Sequence, residues 1–468
     1  MIKRFLIASL FLLFLIPSCR TYYQKYQEFH QLFASGQLEE AAKFLDNDKK
    51  GKKKRTRILY LMNQGTVNHL LGNYKESNEF FEKAHILGED YLNDYLNEAL
   101  ALFSNPKVTE YKGEDFELLM IHYYKAMNFI QLGNFDAALV ECRRMNNKLN
   151  VLNDKFKSNK HYRRDAFIHN LMGIIYDASG DYNNAFTAYR NAYNIYEEDY
   201  KDLFDVNVPP QLKQDLLRSA YRSGFTDLLQ FYEKKFNTTY NHSSNPNKGE
   251  LVFFWKNGLG PVKEEWVVEF VAVRGSGGQV NFVNEELGMA FKFDLPPSQK
   301  SSNSLGDLKV LRVAFPKFVE REKVYYAAKI KVLRKTYPLY LAQDINAIAF
   351  RSLKDRMLRE FSKALLRLAI KQITEIAVRQ ESQGLGAILG VAGAISEQAD
   401  TRNWQTLPHS IYYTRIFLPK GKQNYSLELI SQSGNTARTV SLSTEIKAGK
   451  TNFVNFHSLD AKPPRINN

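Results

Sequence analysis

Among the residues that could carry chemistry, Cys19 has the most informative surroundings. The chain begins with the letters MIKR, and residues 5–16 are apolar apart from Ala8 and Ser9. A cationic tip followed by a short apolar run is the layout of a secretory signal peptide. The run of about 12 residues is shorter than the roughly 20 that a bilayer-spanning helix needs. The sequence therefore predicts an exported chain.

The residues directly before this cysteine resemble the lipobox of bacterial lipoproteins, with Ile16 three positions upstream and the small Ser18 adjacent. The resemblance implies that residues 1–18 are removed as a signal peptide and that Cys19 is acylated, for example with palmitate. Two or more acyl chains hold a protein stably on a membrane, whereas one does so only marginally. The alternative is an ordinary signal peptide with an incidental cysteine.

The residues after the cysteine bear on location. Position 20 is Arg, so the Asp that retains many lipoproteins in the inner membrane is absent, and the following letters TYYQKY lack the acidic cluster associated with surface export. The resemblance therefore predicts a lipid-anchored outer-membrane protein that faces the periplasm.

Other chemistry-bearing residues do not form a recognisable site. The nine histidines are scattered without a metal-binding spacing such as HExxH, and Cys142 alone cannot complete a thiolate site. No GxSxG motif is present, and the glycine-rich letters RGSGGQ at 274–279 lack the GK[ST] of a phosphate loop. We predict no catalytic residue, no metal, no cofactor and a non-enzymatic protein, with Cys142 as a buried thiol.

Charge and cysteine content restrict the partners. The net charge of +14 falls to +12 once Lys3 and Arg4 leave with the signal peptide. Such a basic excess suits lipid phosphates or an anionic envelope polymer, and nucleic acid is not expected outside the cytoplasm. With Cys19 acylated, Cys142 has no cysteine in the chain to pair with.

The first half of the chain contains an internal repeat. A turn glycine, an aromatic two residues later and a small residue three further on recur at 70–84, 131–145 and 178–192, with a weaker copy at 34–45. This pattern resembles the tetratricopeptide repeat, a helix-turn-helix unit of 34 residues. The residues assigned to turns and packing are Gly72 with Tyr74, Gly133 with Phe135, and Gly180 with Tyr182, together with the small residues Gly65, Ala126 and Gly173 in the first helices.

The repeat spacing is irregular. Successive turn glycines, beginning at Gly36, lie 36, 61 and 47 residues apart, so an additional helix is expected at 93–103 and a polar segment at 154–165. Residues 209–236 read as a last helix pair, with Pro210 at a helix start and Gly224 at the turn. We predict a helical repeat domain over residues 19–236.

Two surfaces of this domain are candidates for binding. Helical repeats present a concave groove that usually holds proteins, so we expect an envelope protein partner there. The run Lys49–Arg57 holds seven basic residues in nine, close in sequence to the anchor. It is either a solvated loop between helices or a contact with anionic lipid or polymer.

The second half changes character after a polar linker at 237–249. Short β-branched and aromatic runs, bounded by Gly, Pro or Asn, predict a β-rich, sandwich-like domain over 250–468. The last three runs are expected to form a meander. A helical insertion is predicted near 343–399, including a glycine-spaced apolar helix at 384–395 that is either buried or in contact with lipid. The fold class is therefore α+β.

Residues 257–266 and 396–421 resemble an uncharacterised family of bacterial envelope lipoproteins that pair N-terminal repeats with a β-rich half. The family implies no activity. Within the second segment, Asp400, Arg402 and Trp404 are candidate binding residues, although an ion pair that fixes the loop is the alternative interpretation.

Two functional hypotheses follow. The first is a membrane-anchored periplasmic adaptor that serves outer-membrane assembly, secretion or peptidoglycan synthesis through protein–protein interactions. The second is an envelope enzyme that acts on peptidoglycan, with its site in the β-rich half.

Overall fold

The computed structural model describes residues 20–93, 109–155, 162, 164–242, 245–274, 279–294, 310–357, 361–362, 364–366 and 399–465. The predicted signal peptide with Cys19, most of the additional helix at 93–103 and the glycine-spaced helix at 384–395 lie outside the described residues. No helix within the described part of the chain is long and apolar enough to cross a membrane.

The described residues of the first half form helices joined by turns and loops, with no strand among them. The helices are α1 (Tyr22–Lys25), α2 (Gln27–Ala34), α3 (Leu38–Asn47), α4 (Arg57–Leu71), α5 (Tyr74–Asn93), α6 (Asp115–Gln131), α7 (Phe135–Lys155), α8 (Ala166–Ser179), α9 (Tyr182–Ile195), a π-helical turn (Tyr196–Tyr200), α10 (Lys201–Phe204), α11 (Pro210–Arg222) and α12 (Thr226–Phe236).

The turn glycines separate consecutive helices as the repeat pattern predicts. Gly72, Gly133 and Gly180 adopt positive φ angles of 82°, 72° and 86°, between α4 and α5, α6 and α7, and α8 and α9. This left-handed conformation costs little only for glycine. Gly36 and Gly224 do the same before α3 and α12. The repeat region is therefore a set of helix pairs of the tetratricopeptide type.

Close helix approach explains the small residues of the first helices. A Cβ on Gly65 would lie 2.6 Å from the ring of Phe81, and one on Gly173 would lie 2.4 Å from the ring of Tyr189. Ser77 Oγ also donates a hydrogen bond of 2.7 Å to the Gly65 carbonyl. Glycine is needed at these positions because an aromatic ring of the second helix occupies the space.

The residues that fill the space between paired helices differ from those expected. Tyr74, Phe135 and Tyr182 open the second helices but stay half-buried. The fully buried residues are Phe81, Cys142 and Tyr189, each nine residues after a turn glycine. A residue nine positions after the turn glycine lies well inside the second helix, and its side chain packs against the middle of the first helix. Cys142 is a buried, unpaired thiol whose pKa is raised by burial.

The second half forms three four-stranded sheets among the described residues. The strands are β1 (Lys248–Asn257), β2 (Val262–Arg274), β3 (Gln279–Asn284), β4 (Met289–Asp294), β5 (Val310–Val319), β6 (Ala327–Val332), β7 (Lys335–Pro338), β8 (Tyr340–Asp344), β9 (Ser410–Pro419), β10 (Gly421–Ile430), β11 (Thr436–Ile446) and β12 (Thr451–Ser458). The strand orders are β12-β1-β9-β8 in the first sheet, β11-β10-β6-β7 in the second and β4-β3-β2-β5 in the third.

The first two sheets form a sandwich. Alternate residues of β1, including Leu251, Phe253 and Trp255, share a core with Ile330 and Leu427 of the second sheet. The third sheet buries its own apolar face against Phe361, which belongs to the helical insertion. That insertion begins with helix α13 at 345–357, directly after β8.

The expected C-terminal meander is wrong. β10 and β11 form a hairpin, but β12 leaves that sheet and pairs in parallel with β1 in the first sheet, with Leu251 opposite Asn452. The physical reason is that β1 is buried on both faces. Such a strand belongs in the interior of a sheet, and β9 and β12 supply its two neighbours.

The remaining face of the first sheet packs against the helices. Val252 and Phe254 of β1 and Ile411 and Tyr413 of β9 belong to one core cluster with the repeat helices. The layers are therefore helices, first sheet and second sheet. This arrangement gives the two halves a common core, so the helical half and the first sheet are packed as one body.

Candidate functional site

The face of the repeats that was expected to hold a partner contacts the β-rich half of the same chain. Lys256 Nζ of β1 donates to His69 Nε2 of α4 at 2.6 Å. The backbone N–H of Trp404 donates to Glu117 of α6 at 2.6 Å, and Gln343 of β8 donates to Asp165, the N-cap of α8, at 2.8 Å. We call these contacts between the first sheet with its 399–409 loop and α4, α6, α8 and α11 the seam.

A compensated cluster of charges lies in the seam around Arg415 of β9. Its guanidinium, fully buried, lies 3.2 Å from Asp177 and 3.0 Å from Asp215, and it also pairs with Glu250. Arg218 lies between the same two aspartates. Burial alone would raise the pKa of Glu250, but Arg415, with Arg218 and Arg222, outweighs burial and lowers it to about 2. Buried charges in contact of this kind fix geometry because neither partner can leave without stranding the other.

A second polar chain crosses the seam at Lys256. His69 accepts from Lys256 at Nε2 and donates from Nδ1 to Asn128 Oδ1 at 2.5 Å, which fixes the neutral tautomer. The ring centroid of Tyr124 lies 5.3 Å from the Lys256 ammonium. His457 is also near, and burial together with the charge of Lys256 lowers the pKa of His457. Burial lowers the pKa of Lys256 to about 7.

The three candidate residues of the 400–404 loop have different environments. Arg402 pairs with Asp400 at 2.7 Å and donates to the carbonyl oxygens of Arg55 at 2.7 Å and Thr109 at 3.0 Å. The ion pair and the two carbonyl contacts together hold the loop in place. Trp404 is instead fully buried in the seam, so its side chain is not available to a ligand at the surface.

The core around Trp404 explains its position. Its ring packs 5.7 Å from Phe81 and 5.6 Å from Tyr124, and its Nε1 donates to Thr406 at 2.8 Å. Trp404 therefore joins the loop to α5 and α6 in the interior, whereas Asp400 and Arg402 border an opening.

That opening is a cavity of about 1190 Å³ between α1–α3, the 48–56 loop and residues 400–402. We call it the N-terminal cavity. It brings together the two regions that the sequence singled out separately, the basic run at Lys49–Arg57 and the pair Asp400 and Arg402. Arg20, the residue after the predicted acylation site, also lines it.

The N-terminal cavity has an excess of positive charge. Seven Lys or Arg side chains line it, against four carboxylates. Two of those carboxylates have partners, since Asp48 accepts from Tyr26 Oη at 2.7 Å and Asp400 pairs with Arg402. Burial lowers the pKa of Arg55, and the like charge of Arg402 lowers it further. The arrangement suits an anionic ligand.

Sequence reasoning missed the apolar side of this cavity. Tyr26, Leu32 and Phe44, from α2, α3 and the turn before α2, form part of its wall. The signal was present in the sequence, because these residues interleave with Lys25 and Lys43 in the first helices. It could not be interpreted without knowing that α1–α3 curve back towards residues 400–402.

Sequence reasoning also missed a buried carboxyl pair, Glu114 and Glu117, beside a cavity of about 310 Å³. Burial and the charge of Glu114 raise the pKa of Glu117 to about 7, whereas Arg356 and Lys263 overcome burial and lower that of Glu114 to about 2. Divergent carboxyl pKa values are a feature of acid–base sites.

The contacts of this pair favour a structural role. Glu117 accepts hydrogen bonds from Tyr111 Oη and from the backbone N–H groups of Glu114 and Trp404. Its carboxylate is therefore occupied by the protein itself. No cluster of His, Cys, Asp and Glu that could hold a metal ion occurs within the described ranges. The enzyme hypothesis stays a prediction.

No family model matches the sequence, and no curated protein matches it. Similar solved structures include MamA (16% identity, 44% of this chain and 90% of that one, TM-score 0.28). They also include the apo form of RapI (14%, 46% and 68%, TM-score 0.33) and TPR-like repeats of a Podosopora anserina kinesin light chain (12%, 46% and 93%, TM-score 0.29). Each of these neighbours matches less than half of this chain.

Proposed function

We propose that this protein is a non-enzymatic scaffold of the bacterial cell envelope, anchored through acylated Cys19 to the outer membrane and facing the periplasm. The lipobox-like residues before Cys19 support the anchor, and the tetratricopeptide-type helix pairs support a role in protein–protein interactions. The pathway it serves is outer-membrane assembly, secretion or peptidoglycan synthesis.

The observation that carries the scaffold proposal is the contrast between the two faces of the repeats. The inner face contacts the first sheet, so a partner has to use another surface. On the outer helices, Ile86 of α5 and Val151 of α7 are 51% and 57% exposed. Both side chains are apolar and exposed, so this part of the repeats is open to a partner.

Ion pairs between long side chains bridge these two helices. Lys148 of α7 pairs with Glu89 of α5, and Arg144 lies 3.8 Å from Glu82. Ile86 lies between the two glutamates in sequence, and Val151 follows Lys148 by three residues, close to one helical turn. We propose this outer face, formed by α5 and α7, as the partner surface.

Photo-crosslinking in cells tests the proposal. A photoreactive residue replaces Ile86 or Val151 in turn, and Leu333, which is 58% exposed in the turn between β6 and β7, provides the matched control. We expect one envelope protein to be captured from positions 86 and 151 but not from 333, and its yield to fall with Cys19→Ala. Equal capture from all three positions, or none from the outer face, would contradict the proposal.

A further inference from the structure

The N-terminal cavity is lined in part by three lysines that form no ion pair within the described part of the fold. Lys43 of α3 and Lys50 and Lys53 of the following loop all line the cavity and are exposed. None of the three forms an ion pair with another described residue. The charges around Arg415 in the seam, in contrast, are buried and paired.

Separate segments supply the cations of the lining, including those that have a partner within the fold. Arg20 and Lys25 come from the N-terminal end, Lys43 from α3, Lys50 and Lys53 from the 48–56 loop, and Arg402 from the far side of the chain. The lining also contains Glu28, Glu40, Asp48 and Asp400, so seven cations face four carboxylates. A concave surface with an excess of one sign of charge raises the local concentration of a ligand of opposite charge. Arg402 is held in place by two carbonyl oxygens, so this side of the cavity is fixed before any ligand arrives.

The size and lining of the cavity favour a lipid over a free ion. Its volume of about 1190 Å³ exceeds the roughly 300–1,000 Å³ typical of small-molecule pockets. Tyr26, Leu32 and Phe44 provide apolar wall beside the cations. A ligand with a phosphate and a glycerol-linked apolar part matches both features, whereas inorganic phosphate would use only the cations.

Position supplies the third argument. Arg20 lines the cavity, and it directly follows Cys19 in the sequence. An acyl anchor at Cys19 would hold the mouth of the cavity at the membrane surface, where basic residues each gain roughly 1 kcal/mol of attraction to anionic lipid. This argument rests on the anchoring that is part of the proposed function.

We propose that the N-terminal cavity binds the phosphate headgroup of an anionic membrane phospholipid. Lys43, Lys50 and Lys53 bind the phosphate, and the aromatic wall packs against the glycerol and the first part of the acyl chains. The site orients the protein on the membrane in addition to its covalent anchor.

Vesicle binding tests this site without any protein partner. The full chain carrying Cys19→Ala, so that no acyl group contributes, is titrated with phosphatidylglycerol/phosphatidylcholine vesicles and with phosphatidylcholine vesicles alone. Lys43→Gln/Lys50→Gln/Lys53→Gln is compared with Lys335→Gln/Lys422→Gln/Lys447→Gln, which removes the same charge from exposed lysines of the β-rich half. We expect affinity for anionic vesicles to fall on the order of 100-fold in the cavity variant and only a few-fold in the control.

Two other outcomes overturn the proposal. Equal losses in the two triple variants would mean that only net charge matters. Binding of inorganic phosphate with the same dependence on Lys43, Lys50 and Lys53, and no binding to anionic vesicles, would make the ligand a free anion. Specific vesicle binding together with failed capture at positions 86 and 151 would leave the lipid site standing and remove the scaffold proposal.

Discussion

The seam and the N-terminal cavity both contain several arginines or lysines, but they use them differently. In the seam, Arg415 is fully buried against Asp177, Asp215 and Glu250. At the cavity, Lys50 and Lys53 project from a loop and make no ion pair with the described residues. The first set joins two layers of the fold, and the second set faces open space.

This difference shows how to separate structural from functional charge in a basic protein. A buried cation that loses its partners destabilises the fold, because a charge is left without solvent or counter-charge. An exposed cation contributes little to stability. We therefore expect substitutions in the seam to change the free energy of unfolding and substitutions at the cavity to change binding.

The largest effect is expected for Arg415→Ala. It removes the shared partner of three buried carboxylates, so the free energy of unfolding should fall by about 3–5 kcal/mol. Urea denaturation measures this loss. Arg438→Ala breaks an exposed pair with Asp460 and should cost about 0–1 kcal/mol. Equal losses for the two variants would show that the seam charges are not what joins the layers.

The pH dependence of stability tests Lys256. Its native pKa of about 7 lies below its ordinary value of 10.5 because the side chain is buried. Between these values the unfolded chain binds the proton more tightly than the native protein, so stability rises with pH. Relative to Lys256→Met, the wild type should gain on the order of 3 kcal/mol from pH 7 to 10.

Chemical denaturation at several pH values measures this gain. Lys335→Met, an exposed lysine in β7, is the control and should follow the wild type. Parallel curves for the wild type and Lys256→Met would contradict the burial argument.

A smaller effect is expected where helices touch. In Gly173→Ala the new methyl group meets the ring of Tyr189, whose hydroxyl accepts a 3.0 Å hydrogen bond from Arg415. The ring cannot move without disturbing the seam, so we expect a loss of about 1–3 kcal/mol in urea denaturation.

Gly88→Ala is the matched control for this substitution. Its new methyl group meets only the end of the flexible Leu118 side chain, and the gain in helix propensity of up to about 1 kcal/mol should offset the contact. If Gly88→Ala lost as much unfolding free energy as Gly173→Ala, the cause would be crowding between helices in general. It would not be a disturbance of the seam.

The smallest effect on stability is expected at the cavity. Lys43→Gln/Lys50→Gln/Lys53→Gln should leave the free energy of unfolding within about 0.5 kcal/mol of wild type, because these side chains are exposed. The same denaturation assay measures this. A large loss of unfolding free energy would show that these lysines have a structural role like that of the seam charges. The proposed difference between the cavity and the seam would then be wrong.

The repeats could be predicted from the sequence because their signal is local. A turn glycine and the helices on either side are encoded within about 35 residues. Strands β1, β2, β6 and β9–β12 were also predicted from local patterns, whereas β3–β5, β7 and β8 were not. The partner of β12 could not be, because pairing with β1 joins residues about 200 positions apart and depends on which strand is buried on both faces.

The candidate site likewise has features that the sequence predicted and an arrangement that it could not predict. The basic run Lys49–Arg57 and the pair Asp400 and Arg402 were both identified as sequence features. Nothing local indicates that they border one cavity, because the hydrogen bond from Arg402 to the Arg55 carbonyl links positions 347 residues apart. Trp404 illustrates the converse, since its sequence neighbourhood suggested a binding loop and its packing puts it in the core.

By itself the sequence determined the helical pairs, their glycine turns, the β-rich second half and the basic character of the N-terminal region, because each follows from residue types within a few turns or one strand. Only the tertiary structure decided that the first sheet covers the inner face of the repeats and that the cavity forms beside Arg20. Both features need residues from the two halves together, because neither half by itself forms a complete apolar face. β1 needs a cover on each side, and the repeat helices supply one of them.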